Sequence, residues 1–516
     1  MENITIGGAL QSAASQWPEA VAVETAERKW TFRQLSEDAR RAARAYLARG
    51  MRKGDVVGIW APNCAEWIIA AVGIQLIGGV IVPLNSRFKG TEAAYILNRS
   101  RARMLVTVSG FLGTDYPALI GDQDIPTLEE TLLLPGFGND DSAWESFLAA
   151  GDSIDEATLD EAISLVSPDD ISDILFTSGT TGHPKGVLSA HNSSVRMAWQ
   201  WARTVGLGEG DRYLVINPFF HSFGYKAGWV ACISVGATVL PEAVFDANSI
   251  LHRIERDKIT AIPGPPAIFQ SMLTDPDFRK VDLSSLRLSV TGAASVPPVL
   301  IERMRNELGF KTVLTAYGLT EAPVVTVSPP NDTAELIATT CGVPIKGVEV
   351  KIIDDDGQAL PVGEAGEVLI RGFNVMRGYL DDPEATAEAI DADGWLHTGD
   401  VGTLDEDGRL RITDRKKEMF ITGGFNCYPA EIERLMAANE AIAQVAVIGV
   451  PDERMGEVGR AYVIRRPGSE ATEEDIISWC RQTMANYKVP RSIRFVDALP
   501  MTASGKVQRF QLHELG

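Results

Sequence analysis

The stretch Thr177-Ser178-Gly179-Thr180-Thr181-Gly182-His183-Pro184-Lys185-Gly186 constrains this chain most, because it follows directly on the apolar run Ile174-Leu175-Phe176. A strand that empties into a loop of hydroxyls, glycines and one lysine suits an anion. Glycine lets the backbone approach phosphate oxygens closely with its N–H groups turned inward. The hydroxyls add donors, and Lys185 adds a compact positive charge. The spacing is not that of a Walker A loop, G-x-x-x-x-G-K-[ST]. Taken alone, such a loop also reads as a flexible turn.

With 516 residues the chain can bury a large core and divide into at least two domains. Its net charge of −21 argues against nucleic acid or an anionic membrane as the principal partner. A polyanionic ligand would need a local basic pocket against that field. Five cysteines (Cys64, Cys232, Cys341, Cys427, Cys480) stand far apart with no zinc spacing, the pattern of reduced thiols in a cytoplasmic setting. The first thirty residues carry no apolar secretory core. Ile68 to Leu84 is apolar apart from Gln75, but Gly78 and Gly79 divide it into a buried helix and the strand Val80-Ile81-Val82 rather than a membrane span.

Residues 31–49 have the apolar spacing of an amphipathic helix capped by Thr31. Short β-rich runs alternate with helical stretches at 55–60, 79–83, 104–108, 213–216, 238–240 and 286–290, which indicates an α/β fold of layered sheets and helices. Residues 110–165 are irregular and acidic and read as a surface excursion. From Glu349 onward short strands are separated by Asp/Gly turns. After Asp414 the pattern changes to a small α+β unit, with a helix over 429–438 and a strand over 443–450.

The order of residues 177–186 resembles the phosphate-binding signature of the adenylate-forming superfamily, which includes acyl-CoA synthetases, luciferases and nonribosomal adenylation domains. Further motifs of that family follow in order: Asn217-Pro218-Phe219-Phe220-His221, Tyr317-Gly318-Leu319-Thr320-Glu321, Thr398-Gly399-Asp400, Asp414-Arg415-Lys416-Lys417 with Gly423-Gly424, and Pro500-Met501-Thr502-Ala503-Ser504-Gly505-Lys506. The resemblance covers essentially the whole chain. It implies a large N-terminal AMP-binding domain over 1–414, a small mobile C-terminal domain over 415–516, and an active site between them.

The resemblance also implies roles. Thr177, Ser178, Gly179, Thr180, Thr181 and Lys185 would hold the phosphates of ATP. Gly292, Ala293 and Ala294 would form the strip against adenine, with Tyr317 stacking on the base and Gly318 beside it. Thr320 would meet the AMP phosphate, and Glu321 would hold Mg2+. Asp400 and Arg415 would bind ribose. Lys506 would bridge the carboxylate and the α-phosphate, and His221 would stand close to that carboxylate. Lys417 would be the hinge, while Gly423 and Gly424 would line the route of coenzyme A. The residue types suit these tasks: a carboxylate for a hard cation, an aromatic face for a purine.

The reaction so implied activates a carboxylic acid as an acyl-adenylate and transfers it to a thiol. Candidate acid-pocket residues are Tyr225, Lys226, Pro265, Pro266, Ser295, Ala322 and Val324. Lys226 would meet a carbonyl of a functionalised acid or else face solvent. Ser172–Phe176, Asn217–Phe220 with Gly224–Gly228, Pro263–Pro266 and Thr339–Gly342 resemble, more narrowly, the steroid-degradation branch that acts on an indane propanoate, the HIP–CoA ligases. Medium-chain or other fatty acids remain alternatives, as do a carrier-protein thiol as acceptor, a silent nucleotide-binding scaffold and a luciferase-like oxygenase. The expected partners are the acid, ATP and CoA, with no nucleic acid and no integral membrane association; a homodimer is left open.

Overall fold

Strand Ile171–Thr177 lies near the middle of a seven-stranded sheet. The sheet runs in the order 378–379, 185–190, 171–177, 80–83, 56–60, 104–107, 130–133. Its last five strands are parallel to one another, whereas Lys185–Ala190 and Gly378–Tyr379 are antiparallel additions. The computed structural model describes residues 4–177, 184–292, 296–415, 418, 420–422, 425–427, 429–452, 455–484, 486–501 and 507–515; at Asp414, Arg415, Ile421, Phe425, Asn426 and Glu431 only the backbone is described.

Phe32–Ala48 is the expected amphipathic helix, and Thr31 closes a capping box with Gln34 at its start. It packs on Ala65–Leu76, whose Gly73 is required because a Cβ there would lie 2.7 Å from the Ala42 methyl. Gly78, at φ +79, then turns the chain into the strand Val80–Pro83. Among the described residues no helix is long and apolar enough to cross a membrane.

Residues 110–165 are not the surface excursion their composition suggests. Glu130–Leu133 closes the edge of the seven-stranded sheet by parallel pairing with Met104–Thr107, and Ser142–Ala150 packs Trp144, Phe147 and Leu148 inward. An acidic exterior hides this, because only the inward side of each short element is apolar.

A second layer joins Arg212–Val215, Thr238–Pro241, Val21–Glu24 and Lys29–Thr31 to Leu288–Gly292, Thr312–Leu319, Ala322–Val327 and Val343–Pro344 through single bridges at Ala261. A four-stranded antiparallel meander of 348–353, 366–372, 396–404 and 410–415 follows. Beyond it, Phe420, Ile432, Met436, Val447, Val463, Ile476 and Ile493 share a separate core between the sheet of 442–452 and 456–465 and its helices. The mixed architecture, a large N-terminal part and a small C-terminal α+β part, is the one expected.

Candidate active site

The two strands around the glycine-rich loop are antiparallel neighbours, with Thr177 opposite Lys185. The loop is therefore the connection of a β-hairpin and not a strand-to-helix turn. Thr177 Oγ1 donates a long 3.5 Å bond to the Lys185 carbonyl, and the Tyr95 hydroxyl donates to the Pro184 carbonyl at 3.2 Å. Ser178, Gly179, Thr180 and Thr181 lie outside the described residues. Lys185 extends its Nζ over the Tyr379 ring, 5.0 Å from the centroid.

Thr320 and Glu321 form the two-residue tip of the hairpin between Thr312–Leu319 and Ala322–Val327. Behind the tip the register shifts, and Val324 takes φ +52, a costly conformation for a β-branched residue. Gly318 is needed opposite it, since a Cβ would fall 2.4 Å from the Val324 nitrogen. Asn374 Nδ2 holds the bulge by donating to the Pro323 and Val324 carbonyls at 3.2 and 3.1 Å. The Glu321 carbonyl accepts from the Met376 N–H at 2.7 Å, and its Oε1 accepts from the Tyr379 hydroxyl at 2.9 Å. Burial, then the Glu321 charge, pushes the Tyr379 phenol well above its ordinary range.

On the same hairpin the Tyr317 hydroxyl donates to Asp400 Oδ2, and Asp400 is buried. Burial, reinforced by the Asp400 carboxylate, keeps the Tyr317 phenol neutral. Asp400 sits on the strand Leu396–Leu404 directly opposite Arg415, so the ladder brings the two expected ribose contacts together in backbone register. The turn before Asp400 is tied by Thr398, which donates to the Val368 carbonyl at 2.7 Å and accepts from the Asp400 N–H at 3.0 Å. Gly292 pairs with Ala316, next to Tyr317; Ala293 and Ala294 lie outside the described residues. Cys341 is close by, its thiol pushed up to about 11 by burial, with the Asp400 charge acting the same way. It is not a reactive thiolate.

His221 caps the short turn Ser222–Gly224 by accepting from the Phe223 N–H on Nδ1 at 3.1 Å, which leaves Nε2 to carry the proton of the neutral ring. Asn63 fixes the preceding motif, donating to the Val215 and Asn217 carbonyls at 3.0 Å and accepting from the Phe219 N–H at 2.7 Å. The following Tyr225–Val230 is a π-helical turn.

That turn corrects the expectation for Lys226 and Tyr225. Neither a substrate carbonyl nor solvent engages Lys226: its Nζ lies 2.9 Å from Asp173 Oδ1 in the protein interior. Tyr225 is fully buried beside it and accepts from Gln75 Nε2 at 2.9 Å. A charged lysine so far from water requires an opposite charge in contact, and Asp173 supplies it from the strand that leads to the phosphate loop.

Lys506, Lys417, Gly423 and Gly424 lie outside the described residues, as does Ser295. The chain on either side of 502–506 is held together, Met501 bridging Val507 and the Gln508 N–H donating to the Pro500 carbonyl at 2.8 Å. Arg509, next in sequence, binds both oxygens of Glu433 at 2.8 Å and also pairs with Glu418.

The sequence profile of the AMP-binding enzyme family matches residues 10–380. This chain belongs to the AMP-binding enzyme family. The profile of the C-terminal domain of AMP-binding enzymes matches residues 431–506. A 3-[(3aS,4S,7aS)-7a-methyl-1,5-dioxo-octahydro-1H-inden-4-yl]propanoyl:CoA ligase of Rhodococcus jostii (strain RHA1) is 49% identical, over 99% of this chain and 98% of its own length. A ligase of the same name from Mycobacterium tuberculosis is 50% identical over 99% of both chains. Among solved structures, the anthranilate CoA ligase AuaEII in complex with anthranoyl-AMP is 31% identical and superposes with a TM-score of 0.89, covering 100% of this chain and 98% of that one.

For an AMP-binding enzyme the described donor set fits a divalent cation carried in with nucleotide. Among the described residues no three His, Cys, Asp or Glu side chains gather to hold a metal alone. Glu321 offers a single carboxylate, and a cation there would complete its shell with phosphate oxygens and water, as Mg2+ commonly does. Sequence reasoning missed Tyr379, Asn63 and Asn374. Tyr379 belongs to a two-residue strand, too short to show any periodicity. Asn63 is conspicuous only as a polar residue just ahead of the helix that starts at Ala65.

Proposed function

We propose that this AMP-binding enzyme is an ATP-dependent acid–CoA ligase whose acid is a bicyclic, ketone-bearing indane propanoate. The observation that carries this reading is its 49–50% identity, over 99% of its length, to two ligases named for that acyl group. The acid's carboxylate oxygen attacks the α-phosphorus of ATP, forming the acyl-adenylate and expelling pyrophosphate. The CoA thiol then attacks the acyl carbon, AMP leaves, and the thiol proton passes to solvent. Both steps demand placement of anions and neutralisation of their charge.

In this reading Lys185 and the loop before it hold the outer phosphates. The Tyr317–Asp400 pair receives adenosine, with Gly292 leaving room for the base and Arg415 assisting at the ribose. Thr320 meets the α-phosphate. Glu321 holds Mg2+, which when bound neutralises phosphate charge. His221, with its Nε2–H, lies at the acid carboxylate, and Lys506 bridges that carboxylate and the α-phosphate. The boundary between domains falls at 414/415, Lys417 is the hinge, and Gly423 and Gly424 line the CoA route.

The test is AMP release with CoA across a panel: the indane propanoate, octanoate, palmitate, benzoate and cyclohexanecarboxylate. A strong preference in kcat/KM for the bicyclic acid is expected. Preference for a linear or aryl acid would keep the ligase chemistry and overturn the substrate. AMP release only with a carrier-protein thiol would replace CoA as acceptor.

A further inference from the structure

Glu321 and Lys185 come from different motifs and carry opposite charges, yet one side chain touches both. The Tyr379 hydroxyl donates to Glu321 Oε1 at 2.9 Å, and the face of its ring lies 5.0 Å from Lys185 Nζ. Among the described residues Glu321 Oε2 accepts no bond, so the contact with Tyr379 turns one carboxylate oxygen back into the protein and frees the other.

The backbone around Tyr379 is held on every side. Arg377 N–H donates to the Leu188 carbonyl at 2.9 Å, and Leu380 N–H donates to the Gly186 carbonyl at 2.8 Å, so Tyr379 is locked to the strand that begins with Lys185. Its own N–H donates to Thr386 Oγ1 at 2.9 Å. Arg99 Nη2 donates to the Leu380 and Asp381 carbonyls at 2.9 and 3.2 Å. Through Met376 and Asn374 the same segment also grips the backbone of the Glu321 hairpin. A ring fixed this firmly can impose an orientation on a flexible glutamate and a flexible lysine, and neither then needs to be ordered when nucleotide arrives.

We propose that Tyr379 is a positioning residue for the metal–nucleotide complex: its hydroxyl aims Glu321 Oε2 at the cation, and its ring holds Lys185 at the head of the strand 185–190. The proposal rests on Glu321 being the cation-facing carboxylate. A hydrogen bond to a charged group has the strength to change metal affinity by roughly tenfold when it is removed.

The experiment is a Mn2+ titration followed by electron paramagnetic resonance, on the full chain with a non-hydrolysable ATP analogue, for wild type, Tyr379→Phe, Tyr379→Leu and Glu321→Gln. Binding of the analogue without metal is measured beside it by calorimetry. Y379F keeps the ring, so it is expected to weaken Mn2+ by about tenfold while metal-free analogue binding changes less than twofold. In turnover, its Mg2+ requirement should rise by more than its kcat at saturating Mg2+ falls. Y379L should weaken metal-free analogue binding as well, because Lys185 loses its platform. Unchanged Mn2+ affinity in Y379F, alongside a clear loss in E321Q, would overturn the role of Tyr379 alone. Unchanged affinity in E321Q would overturn the reading of Glu321 and the proposal with it. Equal losses of metal-free and metal-bound analogue in Y379F would reduce Tyr379 to a structural residue. With the Mn2+ held by free analogue subtracted, a partly unfolded variant lowers the number of sites and leaves the affinity of the folded protein readable.

Discussion

Lys226 Nζ and Asp173 Oδ1 meet at 2.9 Å with side chains 2% and 0% exposed, which makes this pair a fixed strut between the π-helical turn and the strand feeding the phosphate loop. Asp173 Oδ2 also accepts from Ser172 Oγ at 2.7 Å. Removing one partner of such a pair strands the other charge without water. Lys226→Met should therefore lower stability by about 3–5 kcal/mol in urea unfolding. The double variant Lys226→Met/Asp173→Asn should recover at least half of that loss, since no unpaired charge remains. A raised KM for the acid at unchanged stability would return Lys226 to the substrate pocket.

The Tyr317–Asp400 bond sets up a different outcome, because the proposed function assigns both groups to the nucleoside. Asp400→Asn keeps the volume and removes the charge that ribose hydroxyls would address. A hydrogen bond to a charged acceptor contributes about 1.5–3 kcal/mol, so the KM for ATP should rise by tenfold or more. Tyr317→Phe should raise it less, since the carboxylate survives. Steady-state AMP release at varied ATP checks both, and an unchanged KM in D400N would remove Asp400 from the ribose site.

His191 gives a pH signature unrelated to catalysis. Burial lowers its pKa to about 4, against the opposing pull of Asp173 and Asp170, while Lys53 acts with burial. Its Nδ1 accepts from the Ile6 N–H at 3.3 Å. A histidine that titrates near 6.5 when unfolded and lower when folded takes up its proton first in the unfolded chain. Its contribution is complete above pH 6.5 and is lost as pH falls toward 4, by about 3 kcal/mol in all. His191→Asn, which keeps an acceptor for Ile6, should show a shallower fall in stability over that window than wild type. Parallel curves would refute the assignment.

Local signals carried much of the fold into view. The helix Phe32–Ala48 shows its period and its cap, and Gly78 marks where the helix ending at Leu76 gives way to a strand. Glu130–Leu133 escaped because four residues starting with a glutamate acquire meaning only beside Met104–Thr107, a pairing that no local pattern encodes. The site divided in the same way. Asp400 and Arg415 read as partners and are in backbone register, yet the partner of Lys226 lies on the strand Ile171–Thr177, far off in sequence, and could not be read from its neighbours. Tyr379 reaches Glu321 only because a two-residue strand pairs with Lys185–Ala190.

Lys506 and Lys417 separate the two half-reactions. If Lys506 bridges the carboxylate and the α-phosphate, Lys506→Ala loses a preorganised positive charge in the first step only. By analogy with a removed oxyanion donor, adenylate formation should fall by roughly 10²–10³. Thioester formation from supplied acyl-adenylate should stay within severalfold of wild type, as followed by CoA consumption in single turnover. Lys417→Pro restricts the backbone where the C-terminal domain would swing, so it should impair thioester formation more than adenylation. The Arg509–Glu433 and Arg509–Glu418 contacts lie within the C-terminal part and would travel with it, so they should be indifferent to either substitution. Equal loss of both steps in K506A would show that Lys506 serves the fold or the thiol step as well, and equal loss in K417P would argue that a single domain arrangement performs both reactions.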